Sequence, residues 1–151
     1  FARSDTPVFT TDKTPFKIGR AEVLAEGKDA TIIGCGPLVY EAWLAAKSLE
    51  KSLSIGVINL HTIKPIDKAA IIKAAKSTGA IITIEEHQVH GGMGSAVAEI
   101  VTQNYPVPMK ILGIQDSFGE SGQPDELLKK YGMKADNIVK ALREVVKLKK
   151  R

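Results

Sequence analysis

The sequence has 151 residues, of which 44% are hydrophobic and 25% are charged, as expected for one globular domain with a single core. Its 21 basic and 17 acidic residues give a net charge of +4, and part of this surplus lies in the run 147–151. Basic residues at a helix end are usually solvated and complement the helix dipole, and no aromatic residues interleave with this run. We therefore expect no nucleic-acid binding.

The apolar runs and the cysteine content indicate the cellular compartment in which the protein is expected. The longest apolar runs have only a few residues, whereas a membrane helix needs about 20, so we expect no membrane span. We also expect no secretory signal, and the single cysteine, Cys35, excludes an internal disulfide, so the sequence favours the cytoplasm. The first residues, 1–3, are typical of the interior of a polypeptide, which predicts that the chain is a piece of a larger protein.

Short apolar runs alternate along the chain with segments of helical periodicity. The apolar runs predict five strands, over residues 21–25, 30–35, 55–60, 80–84 and 109–114. Helical spacing and capping residues predict five helices, over residues 37–52, 67–79, 96–104, 124–131 and 136–149. Strands that alternate with helices predict βαβ units, with a mainly parallel sheet between two helix layers.

The segment 85–94 concentrates groups that could perform chemistry. It follows the carboxyl end of a predicted strand, where open α/β sheets bind ligands, and it precedes a helix whose N-terminus could hold an anion. Its carboxylates, imidazoles and glycines are Glu85, Glu86, His87, His90, Gly91, Gly92 and Gly94. Three interpretations stay open: a metal site, acid–base catalysis by a Glu–His pair, or a hydrogen-bonded loop that packs against a neighbouring domain.

Two other strand ends carry candidate groups. Gly34, Cys35 and Gly36 form an incomplete dinucleotide motif, because its third glycine would fall at Val39. We therefore predict a tight turn there, with Cys35 as a small buried thiol. His61 follows another strand and is expected to be a satisfied or exposed loop histidine.

Ordered motifs across nearly the full length resemble those of one family. They are the segments 14–19, 59–67, 85–94, 116–122, 126–128 and 131–132. Together they resemble the C-terminal domain of a transketolase. The resemblance implies a three-layer α/β/α fold with a five-stranded, mostly parallel mixed sheet whose first strand is antiparallel. It also places the end of a preceding pyrimidine-binding domain and a linker in 1–13, and the C-terminal domain in 14–151.

Related enzymes share parts of this pattern. Deoxyxylulose-phosphate synthases carry a similar glycine-rich stretch, and the β-subunits of 2-oxoacid dehydrogenases are similar in outline. The segment 121–127 and the turn 62–65 resemble transketolase more closely. The alternative from another class is a non-catalytic regulatory domain that binds an anion or a nucleotide at the strand-end loops.

The resemblance implies an activity for the whole enzyme rather than for this chain. Transketolases move a two-carbon ketol unit between sugar phosphates, using thiamine diphosphate and a divalent metal, magnesium or calcium, held by two other domains at the interface of a homodimer. The Gly-Asp-Gly stretch that holds the metal diphosphate in the family is absent from this sequence. We therefore expect no catalytic residue, no metal ligand and no bound cofactor in this chain alone.

The resemblance also assigns roles to particular residues. Arg3 aligns with an arginine that binds the phosphate of the substrate, and a guanidinium suits a phosphate because it binds in bidentate fashion. The residues expected at the contact with the neighbouring domain are Glu86, His87, His90, Gly91, Gly92 and Gly94.

Overall fold

The structure is a computed structural model, and it describes residues 7, 8 and 10–149. The five strands are β1 (Glu22–Ala25), β2 (Ala30–Gly34), β3 (Ile55–Asn59), β4 (Ile81–Gln88) and β5 (Met109–Ile114). The five helices are α1 (Leu38–Ser48), α2 (Lys68–Thr78), α3 (Met93–Asn104), α4 (Pro124–Lys130) and α5 (Ala135–Lys149).

The strands form one mixed sheet between two layers of helices. Their order is β1-β3-β2-β4-β5, in which β1 runs antiparallel to β3 and the other neighbours are parallel. Helices α1 and α5 contribute to the apolar core on one face of the sheet, and α2 and α3 to the core on the other. The predicted three-layer fold with an antiparallel first strand is therefore confirmed.

The predicted limits of α2 are also confirmed, because they depend on local chemistry. Asp67 caps the helix, and its side chain accepts a hydrogen bond from the backbone N–H of Ala70 at 3.0 Å. Gly79 ends the helix with a φ of 65°, a left-handed conformation that glycine adopts readily. A second oxygen of Asp67 accepts the N–H of Ala21 at 2.9 Å, so the same carboxylate fastens the segment before β1.

The predicted end of β4 is wrong. The strand continues past Ile84 to Gln88, so residues 85–88 belong to the sheet rather than to a loop. The cause is a long-range contact: after an irregularity in register, Gln88 pairs with Ile114 of β5. The connection to α3 is correspondingly short, and that helix begins at Met93 rather than at residue 96.

Among the described residues, no helix has the length and apolar character needed to cross a membrane.

Candidate functional site

Four parallel strands end at the same edge of the sheet, which we call the carboxyl edge. The segments that follow these strands are 35–37, 60–67, 89–92 and 115–123. Open α/β sheets place their ligands at such an edge. The structure therefore brings the candidate segments to one side of the molecule.

A buried carboxylate closes the start of α3. Glu85 is 4% exposed, and its two oxygens accept the backbone N–H groups of Met93 and Gly94, each at 2.8 Å. These N–H groups belong to the unpaired first turn of the helix, and the positive end of the helix dipole favours a negative charge there. The position at which the helix could hold an external anion is thus occupied by a side chain of the protein.

The glycines next to this cap are required by space. A Cβ on Gly92 would lie 2.5 Å from an oxygen of Glu85, and a Cβ on Gly94 would lie 2.5 Å from the side chain of Ile111. Gly91 has a φ of 73°, which side-chain-bearing residues rarely adopt. The glycine-rich pattern therefore reflects the close fit of the helix start against β4 and β5.

The two histidines of this segment are exposed, whereas the carboxylate of Glu85 is buried. His87 and His90 are exposed, and Nδ1 of His87 donates a hydrogen bond to the carbonyl oxygen of Gln88 at 2.8 Å. The oxygens of Glu85 accept backbone hydrogen bonds instead of pairing with either histidine. A Glu85–His acid–base pair is therefore not formed, and no group of three metal-binding side chains occurs in the described part of the chain.

The loop after β5 is fastened to β4 by one side-chain amide. Gln88 donates from Nε2 to the carbonyl oxygen of Ser117 at 2.8 Å, and its Oε1 accepts the N–H of Asp116 at 3.0 Å. Farther along, Glu120 accepts a hydrogen bond from the Tyr131 hydroxyl at 3.0 Å. The hydrogen bond from Lys130, and then the one from Tyr131, lower the pKa of the exposed Glu120 carboxyl. Sequence reasoning missed Gln88, since its partners lie 28 and 29 residues away.

Cys35 lies at the same edge and is partly rather than fully buried. Burial, followed by the nearby negative charge of Glu85, raises the pKa of its thiol to about 11. The thiol is therefore protonated near neutral pH, and protonated thiols are poor nucleophiles. The predicted small buried thiol is thus only partly buried in the structure.

His61 differs from its prediction. Its Nδ1 lies 3.0 Å from the hydroxyl of Thr62, and the ring of Phe16 lies with its centroid 4.5 Å from the imidazole centroid. Its Nε2 is buried and has no hydrogen-bond partner among the residues that the structure describes. The imidazole is thus neither fully satisfied nor exposed, and its ring neighbour Phe16 comes from a segment 45 residues earlier in the chain.

A comparison with protein-family models identifies the family of this domain. A family model described as the C-terminal domain of transketolase matches residues 19–138, which is most of the chain. The chain belongs to the transketolase family.

Similar proteins include subunits of split transketolases. The 6-deoxy-6-sulfo-D-fructose transketolase subunit SqwH of Clostridium sp. (strain MSTE9) is 43% identical over 140 residues, covering 92% of this chain and 44% of that protein. A solved structure of a split-gene transketolase, an inactive β4 tetramer, superimposes with a TM-score of 0.92 at 42% identity, covering 97% of this chain and 48% of that one.

A related activity is also present among the similar proteins. The 1-deoxy-D-xylulose-5-phosphate synthase of Heliobacterium modesticaldum (strain ATCC 51547 / Ice1) is 38% identical over 134 residues, covering 87% of this chain and 21% of that protein. The chain thus spans less than half the length of these curated relatives.

The described residues of this transketolase domain do not fit the cofactor that the family resemblance implies. A metal diphosphate needs several oxygen ligands and an open anion site. The described part of the chain contains no cluster of three metal-binding side chains, and Glu85 occupies the start of α3. Arg3, the predicted phosphate-binding residue, lies outside the described residues, so its role stays a prediction.

Proposed function

We propose that this chain is the C-terminal domain of an enzyme that transfers a two-carbon ketol unit between sugar phosphates. In this proposal, thiamine diphosphate and magnesium or calcium act in the domains that precede it, and the chain alone is not catalytic. The observation that carries the proposal is the match of the transketolase C-terminal model to residues 19–138. The closed start of α3 supports it, since this domain then offers a framework rather than a cofactor site.

Within this proposal, the end of β4 and the turn that joins it to α3 contact the neighbouring domain. His87, His90 and Gly91 are exposed, and Glu86 and Gly92 are partly exposed, whereas Gly94 lies buried behind them. The hydrogen bonds of Glu85 hold the turn in one shape, which favours a fixed contact surface. We include a homodimer of the complete enzyme and a cytoplasmic location in the proposal; the single free cysteine supports the latter.

One alternative activity has an observation in its favour. The similarity to a 1-deoxy-D-xylulose-5-phosphate synthase makes the synthesis of 1-deoxy-D-xylulose 5-phosphate the second candidate activity. The closed helix start argues against a regulatory domain that binds an anion at the strand-end loops, because Glu85 occupies the position at the N-terminus of α3 where the anion would bind.

The experiment is a substitution of Arg3 in the complete enzyme. Arg3→Ala should raise the KM for a ketose phosphate by roughly 10- to 100-fold. This factor corresponds to the free energy that a charge-assisted hydrogen bond to the phosphate contributes to binding. The KM for an unphosphorylated ketose should change by less than about twofold, because no phosphate is lost from that complex. The matched control is Arg20→Ala, an exposed arginine of the same terminal region, which should leave both constants unchanged.

Two outcomes would count against this assignment. An equal effect of Arg3→Ala on both ketoses would remove the phosphate-binding role. Formation of 1-deoxy-D-xylulose 5-phosphate in place of ketol transfer by the unsubstituted enzyme would replace the proposed activity with the second candidate.

A further inference from the structure

A small cleft separates the second half of α5 from the turn between α1 and β3. Its volume is about 290 Å³, close to the lower end of the range of roughly 300–1,000 Å³ that is typical of small-molecule sites. The described residues that line it are Ser52, Leu53, Arg143, Val146 and Lys147. These residues give the cleft two cations and an apolar floor, and none of them is acidic.

The floor of the cleft belongs to the packed core. Val146 is 7% exposed and is part of the core cluster between α1, α5 and the sheet, and the partly buried Leu53 packs against the same cluster. The hydroxyl of Ser52 donates a hydrogen bond to the carbonyl oxygen of Leu49 at 3.1 Å, which fastens the turn to the end of α1. The cleft is therefore formed by the fold itself, before any ligand arrives.

The two cations of the cleft lie on one face of α5. Arg143 and Lys147 are four residues apart, a spacing that places side chains side by side on a helix. Both are exposed, and neither has an ion-pair or hydrogen-bond partner in the described part of the chain. The neighbouring carboxylate of Glu144 is held by Lys110. The positive charge beside the apolar floor is therefore uncompensated.

Two other clefts of the described structure differ in this respect. The cleft on the outer face of α2 contains Lys73 and Lys76, but the ammonium of Lys73 lies 3.3 Å from a carboxylate oxygen of Glu26. In the cleft on the other side of Leu53, the ammonium of Lys47 lies 3.5 Å from a carboxylate oxygen of Glu50. Each of these clefts thus has a lysine that is already paired with a carboxylate.

We propose that the cleft between α5 and the turn after α1 binds a small phosphomonoester. The phosphate lies between Arg143 and Lys147, and the organic group lies on Leu53 and Val146. The guanidinium of Arg143 suits a phosphate because it donates two parallel hydrogen bonds, and Lys147 adds a second positive charge.

The charge of the two cations selects this class of ligand. A phosphomonoester carries roughly 1.5 to 2 negative charges near pH 7, which two cations match, whereas a carboxylate carries one. A magnesium-bound diphosphate is a poorer match, because the metal already neutralises most of its charge. The apolar floor favours a phosphate with an organic group over the inorganic ion.

The test is an NMR titration of the nitrogen-15-labelled 151-residue chain with phenyl phosphate at constant ionic strength. Amide signals of residues 51–54 and 143–147 should shift and reach saturation. Inorganic phosphate should bind at least about threefold more weakly, because it has no group to cover the floor. Phenol, which lacks the phosphate, should give no saturable shift there. No enzyme activity is measured, so the result is independent of the proposed function.

Substitutions of the exposed cations show which residues bind. Arg143→Gln and Lys147→Gln should each weaken the binding of phenyl phosphate by roughly tenfold or more, because each removes a charge-assisted contact. The matched control is Lys76→Gln, which removes the same charge from the cleft on α2 and should change the affinity by less than about twofold. Arg143→Lys should give an intermediate loss, because it keeps the charge and loses the bidentate geometry.

Several results would overturn the proposal. Shifts that grow without saturation, or equal weakening by Lys76→Gln and Arg143→Gln, would indicate general attraction between charges instead of a site. Full affinity in Arg143→Lys would exclude the bidentate contact, and equal affinity for phenyl phosphate and inorganic phosphate would exclude the role of the floor. Unchanged amide signals in the buried strand β2 show that a variant is folded. If a glutamine variant changes them, Arg143→Lys decides.

Discussion

At the level of single residues, Glu85 joins the end of β4 to the start of α3. Its carboxylate is buried, and both oxygens accept backbone N–H groups of the helix at 2.8 Å. Gly92 and Gly94 make room for this contact. The carboxylate therefore has a structural role at the helix N-terminus, the position where an anionic ligand could otherwise bind.

Replacing Glu85 tests that task. Glu85→Ala should lower the free energy of unfolding by about 1–3 kcal/mol, because the N–H groups of Met93 and Gly94 would lose their acceptor in a buried place. The matched control is Glu99→Ala, an exposed carboxylate on the same helix, which should change stability by less than about 0.5 kcal/mol. Urea denaturation of the 151-residue chain measures both. Equal midpoints for Glu85→Ala and the unsubstituted protein would contradict the account.

At the level of elements, local chemistry made some boundaries predictable and long-range contacts determined the others. Asp67 and Gly79 mark the ends of α2 through contacts within a few residues, so both ends follow from the sequence. The polar residues 85–88 show no strand pattern; their conformation depends on pairing with β5, about 26 residues later. The partner of Glu85 lies 8 residues away and that of Glu41 lies 93 away, so no motif spacing reveals either contact.

A second buried carboxylate joins the helices on the other face of the sheet. Glu41 of α1 is buried. Its oxygens accept hydrogen bonds from the ammonium of Lys134 at 2.6 Å and from the backbone N–H of Ala135 at 2.8 Å. The same ammonium lies 2.8 Å from an oxygen of Asp125. Hydrogen bonds from Lys134, and then from Lys129, lower the pKa of the exposed Asp125 to about 2.

These contacts predict unequal costs of substitution. Glu41→Ala should lower the free energy of unfolding by about 2–4 kcal/mol, because a partly buried ammonium and the first turn of α5 would lose their acceptor. Asp125→Ala should lower the free energy of unfolding much less than Glu41→Ala does, since exposed ion pairs stabilise little. Because the pKa of Asp125 is lowered, its small contribution is present above about pH 4 and is lost as the pH falls towards 2. Thermal denaturation at pH 7 compares the two variants; equal shifts would contradict this ranking.

At the level of the whole molecule, the two ends of the sheet differ in character. The carboxyl edge carries the exposed His87 at the end of β4, the exposed His90 in the following turn, and the fastened loop after β5. The amino edge is held by Lys149, whose ammonium donates to the carbonyl oxygens of Thr78, Lys28 and Asp29. Only the family resemblance predicted the role of this domain, which is to support the catalytic domains of the enzyme without taking part in catalysis.

The most direct test of the central claim is a calorimetric titration of the 151-residue chain with thiamine diphosphate in the presence of magnesium. The account predicts no saturable heat, because the described residues provide neither a cluster of metal ligands nor an open helix start for a diphosphate. The complete enzyme, titrated in parallel, should give saturable binding. Saturable, stoichiometric heat with the 151-residue chain alone would contradict the claim that this domain supports the enzyme without holding its cofactor.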